Sequence, residues 1–293
     1  MSGSITELHL KLMKCLDQES YFGERKEIYD KVLSLIPKSA QEWAKKGFIY
    51  NRILQPAEAI SCFEKALRLE PNNIEFLQDI SSVLFENRYF EENIPYLERI
   101  AEIDPELASN WNLLAFCHLR IGHYAKAELL FKKALELDDQ DATANFDLGM
   151  FYKNQERYKR ALEYLKKASE LNLNDDFVWF MLGHAYQNLG MSEEAIETYE
   201  VAVEVNPRND SVWNNLGLEY GRRQDYKKAI ECYKRAIQID DKSEAVWSNL
   251  KFAYYGTEEY EKADYCEKKE EQLAELDRSE VKKPKDATKW YYT

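Results

Sequence analysis

Residues 210–243 read DSVWNNLGLEYGRRQDYKKAIECYKRAIQIDDKS, and this stretch decides the fold. Trp213, Leu216, Gly217 and Tyr220 recur at helical spacing in its first half, and Ala229, Tyr233 and Ala236 do so in its second. Each half therefore reads as a helix with one apolar stripe. Working outward, Trp43, Trp111, Trp179, Trp213 and Trp247 stand 68, 68, 34 and 34 residues apart. The period is 34, and only Trp290 falls outside the series.

Cut at that period, the chain gives eight uninterrupted blocks: 6–39, 40–73, 74–107, 108–141, 142–175, 176–209, 210–243 and 244–277. Position 7 is apolar in most blocks (Leu12, Ile80, Leu114, Leu148, Leu182, Leu216, Leu250), and position 8 is small (Gly47, Ser81, Ala115, Gly149, Gly183, Gly217). Position 11 brings Tyr50, Tyr152, Tyr186, Tyr220 and Tyr254. Position 20 is alanine at Ala59, Ala127, Ala161, Ala195, Ala229 and Ala263, position 24 an aromatic (Tyr29, Phe63, Phe131, Tyr199, Tyr233), and position 27 alanine at Ala66, Ala134, Ala168, Ala202 and Ala236. Small residues at 8, 20 and 27 let two helices approach closely while the rings fill the space beside them. Pro37, Pro71, Pro105 and Pro207 at position 32 end the second helix, because proline cannot continue it. One hairpin cannot bury its own apolar face, so stacked neighbours must complete the core.

Composition agrees. Ten glycines and seven prolines are too few for a turn-rich β or α/β fold of 293 residues, so the class is all-α. The formal charge of −13 opposes binding to nucleic acid or to an anionic membrane surface. No apolar run approaches a membrane span, and the first residues lack the pattern of a secretory signal, so a cytoplasmic protein is expected.

The pattern Trp-x2-Leu-Gly-x2-Tyr, followed by Ala, an aromatic, Ala and Pro, resembles the tetratricopeptide repeat (TPR) family over residues 6–277. The resemblance implies a right-handed superhelical solenoid of eight helix-turn-helix repeats. It also implies a concave groove lined mainly by the first helix of each hairpin. Members that clamp chaperone C-termini carry Lys at position 5 and Asn at position 9 of one unit; no block here does. The position-6 asparagine ladder of the O-linked N-acetylglucosamine transferase repeats is matched only by Asn215 and Asn249, with Leu113, Asp147 and Met181 breaking it.

Departures mark the ends. Ser4 and Glu7 form a candidate capping box for the opening helix. In the last block Glu267 and Glu270 replace the aromatic at 24 and the alanine at 27, which reads as a closing, solvating cap with nothing following. Block 74–107 is the weakest, and its Pro95 predicts a bend: either a tolerated irregularity or a hinge between blocks 1–2 and 4–8. Residues 1–277 are thus the solenoid. The basic, aromatic tail 278–293 is expected to be disordered, or else to dock on an acidic face or serve another protein as a short ligand.

No catalytic constellation, cofactor motif or metal site is expected. Cys62, Cys232 and Cys266 share position 23, and Cys15 and Cys117 share position 10, as buried repeat slots. His9 and His118 take positions used elsewhere by core aromatics, His184 lies at position 9, and the spacing of His118 and His123 is wrong for two ligands on one helical face. The work of such a chain is to bind other proteins or peptide segments, as a scaffold or adaptor. The alternative is a structural subunit that self-associates or joins a larger complex through its ends or convex face. Positions 2, 5, 6, 9 and 12 should face the groove. The expected peptide-binding residues are Phe116, Phe146, Phe177, Phe180 and Met181, an apolar patch across repeats 4–6, with Asn215 and Asn249.

Overall fold

The computed structural model describes residues 29–281, with side chains as far as Glu275. All regular structure among them is helical. A helix end occupies residues 29–34. Fourteen complete helices follow: α1 Ala40–Arg52, α2 Pro56–Leu69, α3 Ile74–Glu86, α4 Phe90–Ile103, α5 Ala108–Arg120, α6 Tyr124–Leu137, α7 Ala142–Asn154, α8 Tyr158–Leu171, α9 Asp176–Asn188, α10 Ser192–Val205, α11 Asp210–Arg222, α12 Tyr226–Ile239, α13 Glu244–Gly256 and α14 Tyr260–Val281. Every odd-numbered helix has 13 residues and starts on the first residue of a 34-residue block. Ser4, Glu7, His9, Cys15 and the tail 282–293 lie outside the described residues.

The chain divides into two compact units, the first ending at Gln140 and the second beginning at Asp141. In the first, helices α1 to α6 pack in sequence order, each on the next; α7 to α14 do the same in the second. Odd helices also lie side by side, α1 by α3, α7 by α9 and α11 by α13, so each unit has a face built of first helices. The division falls one residue before a block boundary and not in block 74–107. Pro95 sits inside α4, which keeps the same fourteen residues as α2 and α6. Its missing N–H costs one bond of the second turn, and the helix runs on through it.

Three local rules repeat. Position 15, between the helices of a hairpin, has positive φ in all seven complete hairpins: Leu54, Arg88, Gly122, Glu156, Gly190, Gln224 and Glu258. Position 34 is the N-cap of the next first helix, and the side chains of Ser39, Asn73, Asp141, Asp175 and Asn209 accept from backbone N–H groups there. Position 4 tryptophans do more than fill the core. The indole Nε1 of Trp111, Trp179, Trp213 and Trp247 donates to the backbone carbonyl six residues earlier, at 2.8–3.0 Å, and ties each first helix to the turn before it.

Positions 8 and 24 meet within one hairpin. A Cβ added to Gly183 would lie 2.5 Å from Tyr199, and one added to Gly217 would lie 2.6 Å from Tyr233. This corrects the expectation for the last block, in which position 24 was read as facing a following helix. There Lys251 takes the small-residue slot, and Glu267 and Glu270 stand opposite it at 3.7 and 2.7 Å. The two carboxylates replace the glycine–aromatic contact with an ion-paired one inside the same hairpin. The α14 helix also runs on to Val281, past the expected solenoid boundary at 277.

Candidate functional site

The residues expected in the groove fall in different settings. Phe116, in the first unit, packs beside Phe85 and Phe90 with ring centroids 5.4 and 6.0 Å away, and the Arg120 guanidinium lies over Phe90 and Phe116. In the second unit Phe146 and Phe177 meet at 5.7 Å, and Phe177 is half exposed. Phe180 leans on Tyr199 of α10 at 6.1 Å. Met181, expected at the surface, is 93% withdrawn from solvent (7% exposed), because α9 is flanked closely on both sides. Asn249 donates from Nδ2 to Oδ1 of Asn214 at 2.9 Å, which links α13 to α11.

The first-helix face of the second unit holds a pocket of about 670 Å³. Phe180, Met181, His184, Asn214, Asn215 and Leu218 line it from α9 and α11, Lys153 from the end of α7, and Arg222 from the end of α11. It therefore joins three of the expected residues, Phe180, Met181 and Asn215. Asn249 lines a second hollow of about 310 Å³ with Leu218, Phe252 and Tyr226. Lys153, Asn188 and Arg222 carry no apolar signature, and Asn188 and Arg222 stand at position 13, the last residue of a first helix. Counting the helix ends as part of the face would have found them.

The charges of this pocket have physical causes. The Nη1 of Arg222 is held at 2.5 Å by Glu219, a carboxylate only 1% exposed that also accepts from the Ser192 hydroxyl at 2.5 Å. Burial holds the Lys153 amine below the usual lysine range. Burial first, and then the Lys153 charge, holds the His184 imidazole below its usual value. A desolvated cation with no counter-ion is costly, and such groups gather at functional sites.

The first unit presents a smaller hollow of about 220 Å³ lined by Gln41, Ala44, Lys45, Phe48, Glu75, Phe76 and Asp79. Burial, and then the Glu75 charge, pushes the Asp79 carboxyl up to about 6.

The histidines differ from the sequence reading. The turn at Gly122 folds His123 back on His118, so the rings stack at 5.5 Å with Nδ1 atoms 3.3 Å apart. Helical spacing did not foresee this because the two residues sit on different elements. No three side chains of metal-ligating type converge among the described residues. Cys62, Cys117, Cys232 and Cys266 are free and buried, and burial pushes the last three thiols up to about 11, 12 and 11. Thiols held so far from ionisation are packing groups. No helix among the described residues is long and apolar enough to cross a membrane.

Paired helices in a strict 34-residue register, closed by a glycine against a ring, define a helical-hairpin repeat protein. Sequence models of the tetratricopeptide repeat match residues 41–73 and 211–243, and that of the cilia and flagella-associated protein 70 middle TPR-like domain matches residues 92–206. The chain is a tetratricopeptide repeat protein. It is 25% identical over 136 residues to the general transcriptional corepressor ssn6 of Schizosaccharomyces pombe, a stretch that is 46% of this chain and 12% of that relative. Among solved structures it is similar to YrrB, described as a TPR protein with an unusual peptide-binding site. The TM-score there is 0.56 and the identity 25%, covering 63% of this chain and 95% of that one. The anaphase-promoting complex hetero-tetramer Cut9–Hcn1 shares the fold at TM-score 0.57 and 17% identity, over 86% of this chain and 53% of that one.

Proposed function

We propose that this chain is a protein-interaction scaffold that holds an extended segment of a partner on the first-helix face of its second unit. The observation that carries this is the 670 Å³ pocket, where the apolar surfaces of Phe180 and Leu218 lie among the amides of Asn188, Asn214 and Asn215. Amides match a peptide backbone, and apolar walls match alternate side chains. The likeness to YrrB, whose description names a peptide-binding site, supports the same reading. The chain then works by binding and not by catalysis, and its buried free thiols suit the reducing cytoplasm. Pull-down of partners by the full chain, read by mass spectrometry, tests it. Phe146→Ala with Phe180→Ala should lower partner recovery severalfold while Tm changes little, and undiminished recovery would sink the reading.

A second reading rests on its own observation. An apolar hollow of about 490 Å³ between α12 and α14 is lined by Ile237, Trp247, Leu250, Tyr254 and Tyr265. Tyr265 of this lining, and Tyr260 on the same helix, are more than half exposed. Exposed apolar groups grouped in this way suit a subunit that assembles with itself or with a larger complex. Light scattering across concentration separates the two: a persistent monomer favours the scaffold, and a closed oligomer favours the subunit.

A further inference from the structure

We propose that the pocket of the second unit reads an acidic side chain within the bound segment, with Lys153 as its counter-charge and Arg222 as the second donor. This deepens the peptide-holding reading above and rests on it. Four titratable groups line the pocket: Lys153, Arg222, His184 and Asp210. The Lys153 amine forms no ion pair and no hydrogen bond among the described residues, although the residue is half-buried. Arg222 is already anchored through one nitrogen by buried Glu219, so its other N–H groups keep a fixed direction, and more than half of its side chain remains exposed. His184 sits beside Asn188, with ring nitrogen and amide nitrogen 3.1 Å apart, and lies close enough to Lys153 to feel its charge. Asp210, on the first turn of α11, is the one carboxylate of the lining and pairs with neither cation.

Although the chain's net charge is −13 and Glu219 already answers Arg222, the Lys153 amine is thus left as a cation without a partner at this place. An incoming carboxylate supplies the partner that Lys153 lacks, and it recovers the cost of withdrawing the amine from water. The occupant is a peptide and not a nucleic acid, because a polyanion meets the repulsion of the whole chain while a single carboxylate meets the local field. Phe180, Met181 and Leu218 beside the cations fit an apolar residue next to the acidic one. Room of about 670 Å³ admits both side chains.

The test is selection of random peptides, displayed with their C-termini fused, against the full chain. The selected sequences should be enriched in Glu or Asp next to an apolar residue. For one selected peptide, made synthetically, the Glu→Gln version should bind wild type about tenfold more weakly. Against Lys153→Met the same change should cost less than twofold, and Lys153→Glu should reverse the preference. Lys153→Met removes a desolvated charge, so its melting temperature should equal or exceed that of wild type, and a folding defect is read directly by circular dichroism. Amidated and free C-termini should bind alike; a need for the free C-terminus overturns the side-chain assignment. Selected peptides without acidic enrichment, or a Glu→Gln cost unchanged in Lys153→Met, overturn this proposal and leave the peptide-holding reading standing. No selected peptide at all overturns that reading, and the proposal with it.

Discussion

Five side-chain-bearing residues, Leu54, Arg88, Glu156, Gln224 and Glu258, hold the left-handed backbone that Gly122 and Gly190 hold elsewhere. For an L-residue that conformation costs on the order of 1 kcal/mol, through the approach of Cβ to the following carbonyl. Glu156 is exposed with φ 58°, so Glu156→Gly relieves the strain at little loss of contact. The gain should be about 0.5 kcal/mol once the greater freedom of glycine in the unfolded chain is deducted, and Glu156→Ala should show none. Chemical denaturation of the two variants checks this. Asp79 carries a pH signature. Its carboxyl titrates near 6 in the fold against an ordinary 3.8, so the folded chain holds the proton longer than the unfolded chain does. Ionisation therefore opposes folding: the penalty is absent below about pH 4, grows between the two values, and is complete above about pH 6. Asp79→Asn should stabilise by about 1 kcal/mol at pH 7.5, after allowance for solvent screening, and by nothing near pH 3.5. An equal gain at both pH values would refute the burial argument. The Glu75 charge, one helical turn away, is visible in the sequence; the burial of Asp79, which contributes most, is not, since it depends on how neighbouring helices pack.

At the scale of the hairpin, the small residue at position 8 and the ring at position 24 act as one unit. The sequence showed both columns but not that they touch, because a column reports a type and not a direction. In Gly183 and Tyr199 the contact leaves no room for a methyl group. Gly183→Ala should cost about 1–3 kcal/mol through overpacking, read as a lowered denaturation midpoint. Block 108–141 carries alanine at position 8 and phenylalanine at position 24, Ala115 and Phe131, both fully buried, so no loss in Gly183→Ala would mean that α9 and α10 separate freely. The last hairpin solves the same problem with charge, and Lys251 opposite Glu267 and Glu270 explains at once two substitutions that looked like a solvated end. The caps at position 34 were readable in principle, as Ser, Asn or Asp just before each first helix.

At the scale of the molecule, each unit is built of helices that pack on their sequence neighbours, so stability within a unit is a sum of local terms. Damage should therefore stay local. Hydrogen exchange of Gly183→Ala should speed up in α8 to α11 and leave α1 to α4 at wild-type protection; uniform acceleration would show a single cooperative block. The 34-residue period, the all-helical class and the burial of Cys62, Cys117, Cys232 and Cys266 were determined by the sequence alone. They follow from spacing along one chain, and helical spacing is fixed by backbone geometry. The tertiary structure decided which groups share a pocket. Lys153 and Arg222 stand about two repeat lengths apart and meet only because α7, α9 and α11 present residues to one pocket. Packing left Met181 only 7% exposed at the pocket it lines, and folding at Gly122 brought His118 onto His123. Convergence between elements depends on packing in three dimensions, which a periodicity along the chain does not encode.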